Sequence, residues 1–311
     1  MPSYTTTQLV NTVKTKALVP TSQATFTNAQ ILTIADEEMQ TGIVPLIMSV
    51  REEYFVKYKD ITITSSSSYE IPTRAIGSKL RTITVVDTDN TNERKIPLFI
   101  ADQVPQRNDP YGYSSGTVAY LQGNFVVLNP NPENSVGGIL RLYYFNRRNT
   151  LVDVTAAARI DGIDTVNKQI TLSNVPSTYS LTSKYDFIKA TPGFENLEES
   201  VTPTGISGLI FTFDELPSGL QLGDYLALEG ESPVVQLPVE FQPVLAQRVI
   251  LRMLEAIGDV TGVQVARAKL DELEKNVMNL ISPRVDGNPK KVLNPYGPLS
   301  GGGRWRNWWN G

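Results

Sequence analysis

The alternation of apolar and polar positions changes period twice along this chain. The longest helical pattern runs over Leu237–Ile281. Val239, Phe241, Val244, Leu245, Val249, Leu251, Met253, Leu254 and Ile257 form an apolar run with few charges, and Gly258-Asp259 breaks it. Ala266, Leu270, Leu273, Val277 and Leu280 then recur at steps of 4, 3, 4 and 3. That spacing lines one helix face and leaves charges opposite, so the stretch predicts two helices joined by a short turn. A weaker helical pattern lies near the N-terminus. Thr27 or Asn28 is placed to cap it, with Phe26 as a hydrophobic staple. Ile31, Ile34, Ala35 and Met39 follow at helical spacing, with Asp36, Glu37 and Glu38 on the other side. Gly42 and Pro45 interrupt, which leaves open one kinked helix or two.

From Asp60 the period becomes 2. Ile61 and Ile63 alternate with threonines, 80–86 and 138–145 predict strands, and 119–128 predicts a hairpin around Gly123-Asn124. A second β portion runs from about 151 to 232, its short strands separated by turn signals at Asp161-Gly162, Pro176-Ser177, Thr191-Pro-Gly193 and Pro217-Ser-Gly219. That spacing argues a sandwich or barrel-like module rather than alternating strands and helices. After Ile281 the chain carries prolines at 283, 289, 295 and 298, three consecutive glycines, and all three of its tryptophans within the last seven residues. Such a tail builds no core of its own; it is disordered or docked on something else.

Composition narrows the chemistry. The chain has 311 residues, 41% apolar and only 19% charged, with Lys+Arg 28 against Asp+Glu 32 and a net charge of −4. A mildly acidic chain is poorly suited to tight, general nucleic-acid binding, which rests on phosphate neutralisation. With no cysteine and no histidine, thiolate nucleophiles, Ser-His-Asp and Cys-His sites and His-ligated zinc are excluded. The N-terminal stretch lacks the apolar core of a secretory leader, and no run approaches the ~20 apolar residues of a membrane span. No phosphate-loop, dinucleotide or nucleophile-elbow motif is present. The chain is therefore expected to be no enzyme, with no cofactor and no metal.

Four clusters offer residue types that could carry chemistry. Asp87-Thr-Asp-Asn-Thr-Asn supplies oxygens for Ca²⁺ but lacks the glycine and distal glutamate of a calcium loop, which favours a polar turn. Glu195, Glu198 and Glu199 supply paired carboxylates, but nothing nominates a partner site, so a solvated loop is favoured. Arg147-Arg148, after Tyr143-Tyr144-Phe145, is explained by charges at a strand end as well as by nucleic-acid contact. The most specific signal is the C-terminal Arg304, Trp305, Arg306, Trp308 and Trp309. Tryptophan and arginine are the types enriched at binding hot spots, which predicts a partner-docking arm over an arm folded on itself.

Several stretches taken in order resemble head-to-tail connector or adaptor proteins of podophage type, which form portal-associated rings. They are FTNAQILTIADEEMQTGIVPLIMSVREEYFV (26–56), YEIPTRAIGSKL (69–80), ILRLYYFNRRNTLV (139–152), LQLGDYLALEG (220–230), PVEFQPVLAQRVILRMLEAIGD (238–259) and SPRVDGNPKKVLN (282–294). The resemblance implies an α+β fold: an α-helical bundle from N- and C-terminal segments (26–58 and 238–281), after an N-terminal arm (1–25). It implies a large mainly-β insertion at 60–236 with a second portion from about 151, and an extended C-terminal docking arm (282–311). It implies a structural virion protein of the tail or neck, made in the host cytoplasm, whose ring joins the portal to the tail and continues the DNA channel. Implied partners are the portal protein, tail nozzle, tube or fibre proteins, and neighbouring copies in a ring of about twelve. DNA would pass the lumen without specific binding, with no membrane involved. Asp36, Glu37, Glu38, Glu52 and Glu53 are the candidate lumen-facing acidic residues. The alternatives are another tail or baseplate protein, or a carbohydrate-binding β module suggested by Tyr111, Tyr113 and exposed aromatics.

Overall fold

Two threonines start the first two helices in the same way. Thr5 accepts from the Gln8 amide while its own amide donates to the Gln8 side chain, opening α1 (Thr6–Lys16). Thr27 and Gln30 repeat this box at α2 (Asn28–Glu38), satisfying amides that a helix start leaves unpaired. These elements belong to a computed structural model that describes residues 4–17, 26–86, 92–99, 117–129, 138–191 and 195–282. The chain divides into two units, Met1–Ile281 and Ser282–Gly311. Beyond Ser282 the second lies outside the described residues, as do the turn at 87–91 and the loop at 102–113 with Tyr111 and Tyr113.

The sequence left open one helix or two around Gly42 and Pro45. α2 runs on without a break through a π-helical turn, Met39–Ile43, into α3 (Val44–Val50), with Pro45 in its first turn, where a missing N–H is tolerated. Gly42 is a close-approach position: a Cβ there would collide with the Arg248 guanidinium. That guanidinium reaches Glu38 at 3.1 Å and Glu274 at 2.6 Å, and Arg252 meets Glu38 at 2.5 Å. The predicted hairpin forms as α4 (Gln242–Ile257) and α5 (Val260–Ile281). Gly258 ends α4 at φ +80°, a region open to glycine at no steric cost, and its N–H bonds back to Leu254. Among the described residues, no helix is long and apolar enough to cross a membrane.

The expected fold class requires correction. The described residues hold seventeen strands in four sheets beside four helical stretches; the architecture is mainly β, not an α-helical bundle with a β insertion. One sheet orders β1 (Val56–Thr62), β8 (Ile139–Asn146), β3 (Ala75–Val86) and β4 (Glu93–Ile96). A second orders β2 (Ser68–Glu70), β7 (Phe125–Asn129), β6 (Val118–Gln122) and β5 (Leu98–Phe99). Ile83, Leu140 and Leu142 from the first share a core with Tyr69, Ala119, Val126 and Leu128 from the second.

A third sheet has seven strands in the order β13 (Asn196–Val201), β12 (Tyr185–Ile188), β16 (Tyr225–Leu228), β10 (Ala158–Asp164), β11 (Gln169–Leu172), β15 (Ile210–Thr212) and β14 (Gly205–Ser207). β12 and β15 are four places apart, about 19 Å in a flat sheet. Yet the Tyr185 and Phe211 ring centroids are 5.9 Å apart, and those of Phe187 and Phe213 5.1 Å. The sheet is therefore curled around its own aromatic core. A parallel ribbon of β9 (Thr150–Leu151) and β17 (Glu231–Ser232) sets the entry and exit of this module side by side.

The β regions thus own separate cores, which is why bundle-plus-insertion misdescribes the chain. The helices have one core of their own. Ile31, Ala35 and Met39 of the first stretch pack with Val244, Leu245, Val249 and Met253 of α4, and Leu151 and Val235 from the β region join them. Leu245→Ala is expected to cost about 2–5 kcal/mol, read as a lowered denaturant midpoint at unchanged slope. Leu280→Ala, on a side chain 70% exposed, should leave the midpoint nearly unchanged.

Candidate functional site

The polar side chains that sequence reasoning passed over meet where the two β regions join. Asp186 lies in β12, a strand buried at all four positions, and is itself 0% exposed. Arg74, just ahead of β3, reaches its carboxylate at 2.6 Å. The Asn149 side-chain amide donates to Asp186 at 2.7 Å, and the backbone N–H groups of Ser200 and Gly230 each donate at 3.0 Å. Arg74 also donates to Asn149 at 2.7 Å. A buried carboxylate is tolerable only with such partners.

A second carboxylate extends the cluster. Glu199 accepts from Lys57 at 2.8 Å and from Asn146 and Asn196 at 2.9 Å each, all on one oxygen. Gln236, ahead of α4, accepts from the Asn149 backbone at 3.0 Å and donates to Asn196. Burial pushes the Glu199 carboxyl up, but Lys57, Arg74 and the Asn196 amide outweigh it and hold it below the usual carboxylate range.

Beside this network lies a cleft of about 470 Å³ lined by Arg51, residues 53–57, Asn146, Arg148, Glu195 and Asn196. Arg148 is 5% exposed; it donates to the Tyr54 carbonyl at 2.6 Å, and its guanidinium lies 4.5 Å from the Phe55 ring centre. Burial, opposed by Glu195 and Glu199, pushes its guanidinium down to about 10. A second cleft, about 730 Å³, lies between the α2–α3 stretch and the end of β8; Asp36 and Glu52 face it with Lys79 and Arg147.

The five acidic residues singled out from sequence are not brought into one patch. Asp36 is half-buried, accepts from the Leu151 amide at 3.2 Å, and is pushed up by burial. Glu38 is 7% exposed and taken up by Arg248 and Arg252. Glu37 is exposed. Arg81 gathers Glu52 at 3.0 Å and Glu53 at 4.0 Å. Arg304, Trp305, Arg306, Trp308 and Trp309 lie outside the described residues. The solvated-loop reading of 195–199 suits exposed Glu195 and Glu198 but not Glu199, which β13 turns into the network. Arg147 and Arg148 do sit at the end of β8, one exposed and the other buried. A charged residue inside the run Tyr185-Asp-Phe-Ile was the one signal that could have revealed the junction. Among the described residues, no group of three or more carboxylates is arranged to hold a metal ion.

Two outcomes test this network. Arg74→Met leaves Asp186 without its charge partner and should cost about 3–5 kcal/mol in denaturant unfolding; adding Asp186→Asn should recover part of the loss. Because the folded Glu199 carboxyl is depressed, its stabilisation is fully present above the unfolded value of about 4.3 and is lost as pH falls through the folded value. Glu199→Gln should therefore flatten the acid limb of a stability-versus-pH curve below pH about 4. No protein-family model matches this chain, and no curated protein matches it.

Proposed function

We propose that the chain is a structural protein of a phage head-to-tail junction that works by packing into a ring with copies of itself against a portal. The observation that carries this reading is the outer side of the α4–α5 hairpin. Of the 22 residues of α5, only Ala266, Leu270, Val277 and Ile281 are buried. Val260, Val265 and Leu280 are 69%, 68% and 70% exposed, and Ile257 at the turn is 54% exposed. A long helix held by so thin a stripe, with aliphatic side chains outward, has the character of a surface covered in an assembly. The ordered sequence resemblance to adaptor proteins supplies the assembly, and the Trp- and Arg-rich end of the chain supplies a docking segment. A passage for DNA would be lined by a chain of net negative charge, which disfavours adhesion.

The full chain mixed with a portal ring should co-elute with it, and deletion of 283–311 should abolish co-elution without changing the melting temperature. Val265→Glu with Leu280→Glu should weaken self-association, read by analytical ultracentrifugation, at unchanged melting. A full chain that stays monomeric, alone and with the portal, at micromolar concentration would overturn the reading.

A further inference from the structure

The second β region is tied to the rest of the chain at one place and rests against it at another. The chain enters at Val152 and leaves at Gly230, and β9 and β17 hold those two crossings side by side. The Thr150 amide donates to the Gly230 carbonyl at 2.7 Å and the Val152 amide to that of Ser232 at 3.0 Å. Residues 152–230 keep their apolar cores almost to themselves. Tyr185, Phe187, Phe211 and Leu226 belong to one cluster. A smaller cluster, with Ile188 and Tyr225, takes a single member from outside, Val234, two residues past the ribbon. Among the described residues, none of 152–230 enters the core of the helices or that of the first two sheets.

What meets the first β region is polar. Lys57 of β1 reaches Glu199 at 2.8 Å and the Asn196 carbonyl at 3.2 Å. Arg74 reaches Asp186 at 2.6 Å, Asn146 at the end of β8 donates to Glu199 at 2.9 Å, and Arg148 adds its charge opposite Glu195 and Glu199. The donors to Asp186 divide unevenly across this contact. Arg74 comes from the far side, whereas Asn149 stands beside the ribbon, and Ser200 and Gly230 belong to residues 152–230 themselves. Turning this region away would remove Arg74 and leave the other three in place; Glu199 would keep the Asn196 amide of its own strand. Water then meets the freed groups, so each hydrogen bond is exchanged and not simply lost. An apolar face pulled apart has no such replacement. We propose that residues 152–230 form a hinged module that turns as a rigid body about the β9–β17 ribbon, with Lys57 and Arg74 as the latch that keeps it shut. The device belongs to the folded single chain and does not depend on ring assembly.

Because the chain has no cysteine, pairs of spin labels can be placed on the full chain without removing any. Lys95→Cys in β4 with Ser218→Cys reports across the latch, and Thr165→Cys with Thr182→Cys reports within the module; all four positions are exposed. By double electron–electron resonance, the first pair should give one narrow distance with the latch intact. Adding Lys57→Met and Arg74→Met should bring in a second, well-separated distance, while the second pair stays unchanged. Amide exchange over 185–188 and 225–228 should remain as slow as before, since these strands carry the module's own core. Where the double variant unfolds, Lys57→Met alone decides, on a contact that keeps part of its surface in solvent. It should show the same second distance at lower amplitude. In the variant that decides, an unchanged distance across the latch, a changed distance within the module, or loss of its amide protection would each overturn the proposal.

Discussion

A carboxylate with no exposure to solvent must be met by donors or the fold does not form, and Asp186 is met from four directions. Arg74 comes from the first β region, Asn149 from the ribbon that enters the second, Ser200 from β13, and Gly230 from the turn that leads back out. Since these donors come from segments far apart in the chain, the carboxylate is satisfied at only one placement of the modules. Ser200 shows what that placement demands. It sits at φ +61°, a left-handed conformation that costs a serine about 1–2 kcal/mol, and its N–H reaches Asp186 there. An apolar junction of similar area would tolerate sliding; a charge with fixed donors does not.

The helical side solves a related problem by other means. Glu38 is buried among α2, α4 and α5 and takes both Arg248 and Arg252, while Glu274 shares Arg248. Reaching Glu38 requires the guanidinium to pass against the backbone at Gly42, inside the π-helical turn. The irregular turn, the missing side chain and the ion pair are thus one feature. Leu151 of β9 and Val235, shortly after β17, pack into the helical core, so the ribbon is anchored to the helices. The same helical core carries α5, whose Val260, Val265 and Leu280 stay exposed.

Legibility in the sequence followed the range of the interactions. The hairpin of α4 and α5 was readable because its period and its Gly258 stop are local, and strands such as β3, β8 and β10 were readable because each alternates or carries large apolar residues between turn signals. β13 was misread as loop, because Asn196-Leu-Glu-Glu-Ser-Val is polar by composition and becomes a strand only through pairing with β12. The fold class was misjudged for the same reason: helices announce themselves by local period, whereas the curl of a seven-stranded sheet depends on contacts such as Phe187 with Phe213, set by tertiary structure alone. The junction was the least legible part. Arg74, Asn149, Asn196 and Gln236 are ordinary polar residues in sequence and become a network only when four distant segments converge.

The cleft and the junction are two faces of one polar cluster, and their difference is informative. Around Asp186 the donors are matched to the carboxylate, so the cluster is closed and its work is to hold the modules in place. Around Glu199 the donors of Lys57, Asn146 and Asn196 converge on one oxygen. The cluster is thus sealed at Asp186, whose side chain is fully buried, and reaches solvent at its edge, where Lys57 and Glu199 keep part of their surface exposed.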